Sequence, residues 1–281
     1  MIYLTYKQDS GGRSGHKLKD IFSVFIISFF NSNFKVCYDD SWGKQDILNN
    51  IDIINRKDIN YDKCCKISDI KKNKGITYEK FLKIIDEISN YEKNTLVEIS
   101  NRCRIHPCQL HNWYIEKKIN RDYFTLDLIP LLKKFYYGNK KNIKLNNVVS
   151  IHIRRGDIFD KIIERGWNIN YYKNIISLFN KYLNIPINIY TEDYNYEDLL
   201  DLKDIKNVNL NLGNTKTLKS DIDQMISSKY LFITSSGLST WMAYISKGSI
   251  FIPKNLRIKH FYHLEYPSNV YYTDDIEKII S

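Results

Sequence analysis

Apolar and polar positions along this chain alternate between two rhythms. Residues 2–6 form a short β-prone run, and 10–15 read as a loop. Leu18, Ile21, Phe22, Phe25, Ile26 and Phe29 then recur at i, i+3, i+4 and i+7, which predicts a helix with one apolar stripe. Residues 34–38 predict a second strand. This β–loop–α–β opening is the unit from which doubly wound sheets are built. From about Trp42 to Gly75 the chain is polar and carries no long periodic run. Beyond it, 78–88 predicts a helix, 95–100 a strand and 123–137 a helix.

The second half alternates more cleanly. Strands are expected at 148–153, 187–190, 208–212, 230–234 and 250–252, with helices at 171–182, 196–202, 221–228 and 239–246. That spacing is the one expected of a parallel sheet with helical crossovers. The Lys- and Asn-rich stretch 139–147 reads as a linker, giving an N-terminal unit over 1–140 and a C-terminal unit over 141–281. The fold expected is α/β: two Rossmann-like domains with parallel sheets, facing one another. A last short helix at 274–280 is a candidate to pack back on the N-terminal half.

At 281 residues the chain suits one large or two modest cores, because cores usually split into units of roughly 100–200 residues. Hydrophobic residues make up 43% and aromatics 14%, which excludes a disordered or collagen-like chain. Lys and Arg number 42 against 32 Asp and Glu, a net charge of +10 that suits an anionic ligand. Asn, Ile, Lys and Tyr are enriched throughout, as AT-rich codons would produce, so the basic balance is weak evidence for nucleic acid. The longest apolar stretch, 24–30, is interrupted by Ser28 and falls short of the roughly 20 residues a membrane helix needs. The opening residues lack a signal-peptide layout. Five cysteines, an odd number, read as reduced thiols. A soluble, cytoplasmic protein with no integral membrane segment is the expectation.

The sharpest local feature is the run Ser150-Ile151-His152-Ile153-Arg154-Arg155-Gly156-Asp157. Side chains alternate along a strand, so Ile151 and Ile153 share one face while His152 and Arg154 share the other. Arg155 and Asp157 fall at or just past the strand's carboxyl end, where open α/β sheets bind ligands. Two arginines leaving a strand together can grip a diphosphate, and Asp157 can orient one of them. The competing reading is a solvated basic strand end with a half-buried histidine. Arg155-Gly156-Asp157 also spells the adhesion tripeptide, which a buried strand end argues against.

Downstream, Thr234-Ser235-Ser236-Gly237-Leu238-Ser239 joins a strand to a helix. Backbone N–H groups at such a helix start, helped by small hydroxyls, make an anion site; an ordinary Ser N-cap without ligand is the alternative. Asp221-Ile222-Asp223 superficially matches a metal-binding Asp-x-Asp, but it follows no apolar strand. With Ser220 it reads as a capping-box-like helix start whose acids complement the helix dipole. Asp221 then serves better as an acceptor for a base or ribose. Cys103, His106, Cys108 and His111, with Cys64 and Cys65 upstream, lack the spacing of a common zinc finger or ribbon and read as structural thiols.

His152-Ile153-Arg154-Arg155-Gly156-Asp157 resembles the H-x-R-R-x-D motif of the fucosyltransferase superfamily that includes the α1,2-, α1,6- and protein O-fucosyltransferases. Gly12-Arg13-Ser14-Gly15-His16 resembles that family's N-terminal G-R-x-G-N-Q loop, with His16 and Lys17 standing where Asn and Gln are usual. Tyr171-Tyr172-Lys173-Asn174-Ile175 resembles the helix after the arginine motif. Asp221 and Ser235–Trp241 resemble the late Asp and the serine-rich segment, the latter spaced one residue looser than in the α1,2 enzymes. Residues from about 42 to 137 match nothing in the family.

The resemblance implies a GT-B glycosyltransferase with GDP-fucose bound mainly by the C-terminal half and a glycan hydroxyl, α1,2-type, as acceptor. Arg154 would neutralise the β-phosphate as the sugar–phosphate bond breaks. Arg155 would assist or hold Asp157, and His152 would lie near the sugar and diphosphate. Ser235, Ser236 and Ser239 would approach the phosphates and Asp221 the guanine or ribose, while Gly12, Arg13, Gly15 and His16 would reach the donor from the N-terminal half. Asp160 and Glu164 are candidates for the general base of an inverting transfer. Arginines in this role imply no metal and no further cofactor. The alternatives are transfer from another GDP-sugar and a catalytically silent nucleotide-sugar-binding protein.

Overall fold

The computed structural model describes residues 1–7, 14–37, 39, 54–67, 76–100, 105, 113, 116, 118–119, 129–137, 144–154, 169–191, 197–212, 218–234, 237–253, 269–273 and 276–280. The chain divides into two compact units, Met1–Asn139 and Lys140–Ser281. The fold is α/β, with one parallel sheet in each unit.

In the first unit, β1 (Ile2–Lys7) leads to α1 (Ser14–Phe29) and β2 (Phe34–Val36); then follow a 3₁₀ turn (Arg56–Asp58), β3 (Lys63–Ile67), α2 (Tyr78–Ser89), β4 (Thr95–Ser100) and α3 (Ile129–Tyr137). The strands lie in the order β2-β1-β4-β3 and every pair is parallel. Register follows side-chain alternation. Leu4, Val97 and Ile99 are buried on one face, and Thr5 stands opposite Glu98 on the other. Thr77 caps α2 by accepting from the Lys80 N–H, and that helix buries Phe81, Ile84 and Ile88 at helical spacing. The Phe81 ring lies edge-on to Phe30 at 4.7 Å and 5.1 Å from Trp113.

The second unit holds β5 (Asn146–Ile153), α4 (Ile169–Tyr182), β6 (Ile187–Thr191), α5 (Glu197–Leu200), β7 (Val208–Leu212), α6 (Leu218–Ile226), β8 (Ser228–Phe232), α7 (Gly237–Ile245), β9 (Ser249–Ile252), β10 (Val270–Tyr272) and α8 (Ile276–Ile280). The strand order is β10-β9-β8-β5-β6-β7, again parallel throughout. Val149, Ile151 and Ile153 of β5 pack with Ile187, Ile189, Tyr230 and Phe232 beneath Tyr172, Ile175, Ile176 and Phe179 of α4. Ile276 places α8 in the same core, and Lys181 of α4 reaches Glu277 at 3.9 Å. The opposite face carries α6, against β5 and β8, with α7 beside it. Gly248, between α7 and β9, passes so close to the carbonyl oxygens of Ser228 and Lys229 that a Cβ would collide with backbone.

Several elements differ from the sequence expectation. β3 lies inside the stretch expected to lack regular structure, because it is an edge strand whose residues are mostly exposed and so show no apolar alternation. β10, also at an edge, is too short to stand out in the apolar pattern. Ser228 opens β8 rather than ending the preceding helix. α6 starts at Leu218, so Ser220 lies inside it, not at a capping position. α7 starts at Gly237, which makes Ser239 its third residue and not its N-cap.

Candidate functional site

In an open parallel sheet, the chain's reversal of direction across the sheet leaves a crevice at the carboxyl ends of two neighbouring strands. In the second unit the chain runs from β5 outward through β6 and β7, then returns to β8 on β5's other side. The switch point therefore lies between β5 and β8. β5 ends at Ile153 with Arg154 next, and β8 leads through Thr234 towards α7.

Strand alternation sends Ile151 and Ile153 into the core under α4 and turns His152 to the other face. There the His152 Nδ1 lies 2.8 Å from the Ser239 hydroxyl, a bond between groups 87 residues apart in sequence. Both residues are buried. The bond ties the middle strand of the sheet to the first turn of α7, whose N–H groups carry the positive end of the helix dipole. Burial, followed by the positive charge of Arg154, pulls the His152 pKa down to about 4. The imidazole is therefore neutral at physiological pH and is a poor base. Its chemistry here is hydrogen bonding, which holds the end of β5 and the start of α7 in one geometry.

Asp221 stands in the first turn of α6, close enough to the β6 residue Tyr190 that its charge opposes phenol ionisation. Burial is the larger cause, and together they push the Tyr190 pKa up to about 12. Tyr190 donates to Gln224 Oε1 at 3.1 Å, and Gln224 Nε2 donates to Ser220 Oγ at 3.1 Å. Ser150 and Ser228 share a 2.6 Å hydrogen bond on the same face. Asp223, the second acid of the Asp-x-Asp run, is ion-paired with Lys219 one turn earlier at 2.5 Å.

The structure thus brings together His152, Arg154 and Ser239 at one sheet edge and sets Asp221 beside β6. Gly15 and His16 fall in the first turn of α1. Gly12, Arg13, Arg155, Asp157, Asp160, Glu164, Ser235 and Ser236 lie outside the described residues, as do Cys103, His106, Cys108 and His111. Among the described residues no group of His, Cys, Asp and Glu could hold a metal ion, and no helix is long and apolar enough to cross a membrane. Sequence reasoning missed Thr191, a buried threonine at the carboxyl end of β6, whereas Thr234, two residues past β8, lies in the segment read as an anion site.

The first unit has its own switch point, between β1 and β4, and charges gather there too. Arg56 Nη1 lies 2.8 Å from both Asp39 Oδ2 and Glu98 Oε1. Burial works against the guanidinium's charge, but bonds with Tyr61, Asp39 and Glu98 outweigh it and raise its pKa. Cys37 beside this cluster is pushed up to about 11 by burial, so its thiol stays protonated.

No protein-family model matches the chain, and no curated protein matches it. Among solved structures, the chain is similar to the crystal structure of the glycosyl transferase family 9 protein from Veillonella parvula DSM 2008. The identity is 8%, over 96% of this chain and 86% of that one, with a TM-score of 0.50. It is also similar to E. coli heptosyltransferase WaaC with ADP (12% identity, 90% and 86% covered, TM-score 0.45). The same enzyme with ADP-2-deoxy-2-fluoro heptose gives 12% identity, 97% and 92% covered, and a TM-score of 0.47. At such identities the likeness speaks to architecture, and the architecture is a GT-B-like α/β fold.

Proposed function

We propose that this chain is a glycosyltransferase that binds a nucleoside-diphosphate sugar at the β5/β8 switch point, with GDP-fucose as donor and a glycan hydroxyl as acceptor. The observation that carries the reading is the His152–Ser239 bond, which sets the first turn of α7 beside the strand end that presents Arg154. A guanidinium and a helix N-terminus at one crevice suit a diphosphate, through charge-assisted hydrogen bonds and the helix dipole. The GT-B-like fold agrees with this use. The fucosyl donor rests on the resemblance of His152–Asp157 to the fucosyltransferase motif.

In the proposed transfer, the acceptor oxygen forms a bond to the anomeric carbon as the bond from that carbon to the β-phosphate oxygen breaks. GDP leaves with the bonding electrons, and the acceptor's proton passes to a base, for which Asp160 and Glu164 are the candidates. Arg154 stabilises the charge gathering on the departing diphosphate. Groups aimed at such charge supply about 3–4 kcal/mol each. His152, neutral and buried, is a positioning residue for this pair. Arg155, Ser235 and Ser236 extend the phosphate grip, Asp221 approaches the nucleoside, and no metal takes part. A second reading, transfer of a different sugar, is favoured by the fold's likeness to a glycosyl transferase family 9 protein.

Calorimetric titration without metal tests the reading. GDP, GDP-fucose, GDP-mannose, UDP-galactose and an ADP-sugar would be added to the wild type and to Arg154→Ala. Hydrogen bonds to charged groups contribute about 1.5–3 kcal/mol, so GDP affinity should fall about 10- to 100-fold in the variant. Preference for GDP-fucose supports the donor assignment, and preference for another sugar nucleotide supports the second reading. Failure of the wild type to bind any of them contradicts both.

A further inference from the structure

Two buried threonines lie near Ile153, the last residue of β5. Thr191 ends β6 in register with Ile153. On the other flank the pairing ends with Ile151 opposite Phe232, and Thr234 follows two residues beyond the end of β8. Thr191 is 6% exposed and Thr234 2%. Neither hydroxyl has a hydrogen-bond partner among the described residues. Two residues earlier, the same row and face hold Ile189, Ile151 and Phe232, all apolar core.

A buried hydroxyl without a partner weakens a fold, and valine would fill the same space without that cost. Two such hydroxyls, one ending β6 and one just past β8 at the carboxyl end of the sheet, call for a partner that arrives from outside. Thr191 shares the α4 face with Ile153 and Ile189, away from the His152–Ser239 bond. A neutral hydroxyl that both donates and accepts matches the hydroxyls of a sugar ring.

We propose that Thr191 and Thr234 bind the ring hydroxyls of the nucleotide sugar, either its ribose or its transferred hexose. The inference rests on the function proposed above and adds residues that the motif resemblance does not contain. Thr191→Val, Thr234→Val and the corresponding serine variants test it, with two readouts. The melting temperature of the ligand-free valine variants should equal or exceed that of the wild type, because no protein partner is lost. Affinity for GDP-fucose should fall about tenfold for each valine and return with serine. An equal loss with GDP assigns the ring as ribose; a loss with GDP-fucose alone assigns it as the transferred sugar. A lowered melting temperature would reveal a protein partner and overturn the proposal. Unchanged affinity for both ligands would overturn it while leaving the Arg154 result standing. A wild type that binds no sugar nucleotide overturns the proposed function and this inference together.

Discussion

The two sheets present the same topological feature, a switch point between parallel strands, and furnish it differently. At β1/β4 the charges are closed on one another. Arg56 spans Asp39 and Glu98 at 2.8 Å each, and Glu98 is only 4% exposed. At β5/β8 the sheet offers a neutral histidine bonded to the first turn of a helix, an arginine just beyond the strand, and two threonines whose hydroxyls lack partners among the described residues. The first arrangement is a strut, since the charge of Arg56 is met inside the protein by two carboxylates. The second leaves polar capacity for a ligand. The contrast teaches that a charged residue at a sheet edge is weak evidence of a site until its partners have been counted.

The largest expected effect lies in the strut. Glu98→Ala removes one of the two carboxylates that face the partly buried Arg56 and leaves Asp39 as the other. Breaking buried pairs costs about 3–5 kcal/mol, so chemical denaturation should report a loss near the lower end of that range. GDP affinity should not change, and a loss of GDP binding in this variant would erase the distinction between the two edges.

Next comes the acid limb of the stability profile. His152 has a pKa near 4 in the folded protein against 6.5 in the open chain. Between those values the unfolded chain takes up a proton that the folded protein refuses. Stability from this group is therefore fully present above pH 6.5 and is lost as pH falls towards 4, by about 3 kcal/mol. His152→Gln should lack that component of the fall. An identical acid limb in wild type and variant would mean that the imidazole is not held neutral.

A smaller effect separates positioning from folding. Ser239→Ala strips His152 Nδ1 of its described partner and should cost about 1–2 kcal/mol of stability. It should also weaken GDP binding several-fold, because the first turn of α7 loses its tie to β5. Stability loss without any change in binding would reduce the bond to a packing role.

Much of the second unit is legible in its sequence because its inner strands β5, β6, β8 and β9 are largely buried and its helices carry strong apolar stripes. Tyr172, Ile175, Ile176 and Phe179 announce α4 by their spacing alone. β3 is not legible, since Lys63, Cys64 and Lys66 are exposed on an edge. The site divides in the same way. Strand alternation alone puts His152 and Ile153 on opposite faces, but it cannot reveal that His152 meets a serine 87 residues later. Nor can it reveal that Thr191 stands beside Ile153, because both facts depend on which strands become neighbours. The capping role expected of Ser220 fails for a local reason: α6 begins two residues earlier, at Leu218, and the Ser220 hydroxyl accepts from Gln224 within the helix.

The central claim is that the β5/β8 edge, and not the β1/β4 edge, receives the nucleotide diphosphate. Amide hydrogen exchange with and without saturating GDP tests it most directly. Exchange should slow at Arg154 and in the first turn of α7, from Gly237 to Thr240, with no change at Glu98 or in the turn Arg56–Asp58. Protection confined to the β1/β4 edge, or spread over surface lysines without involving Arg154, would contradict it.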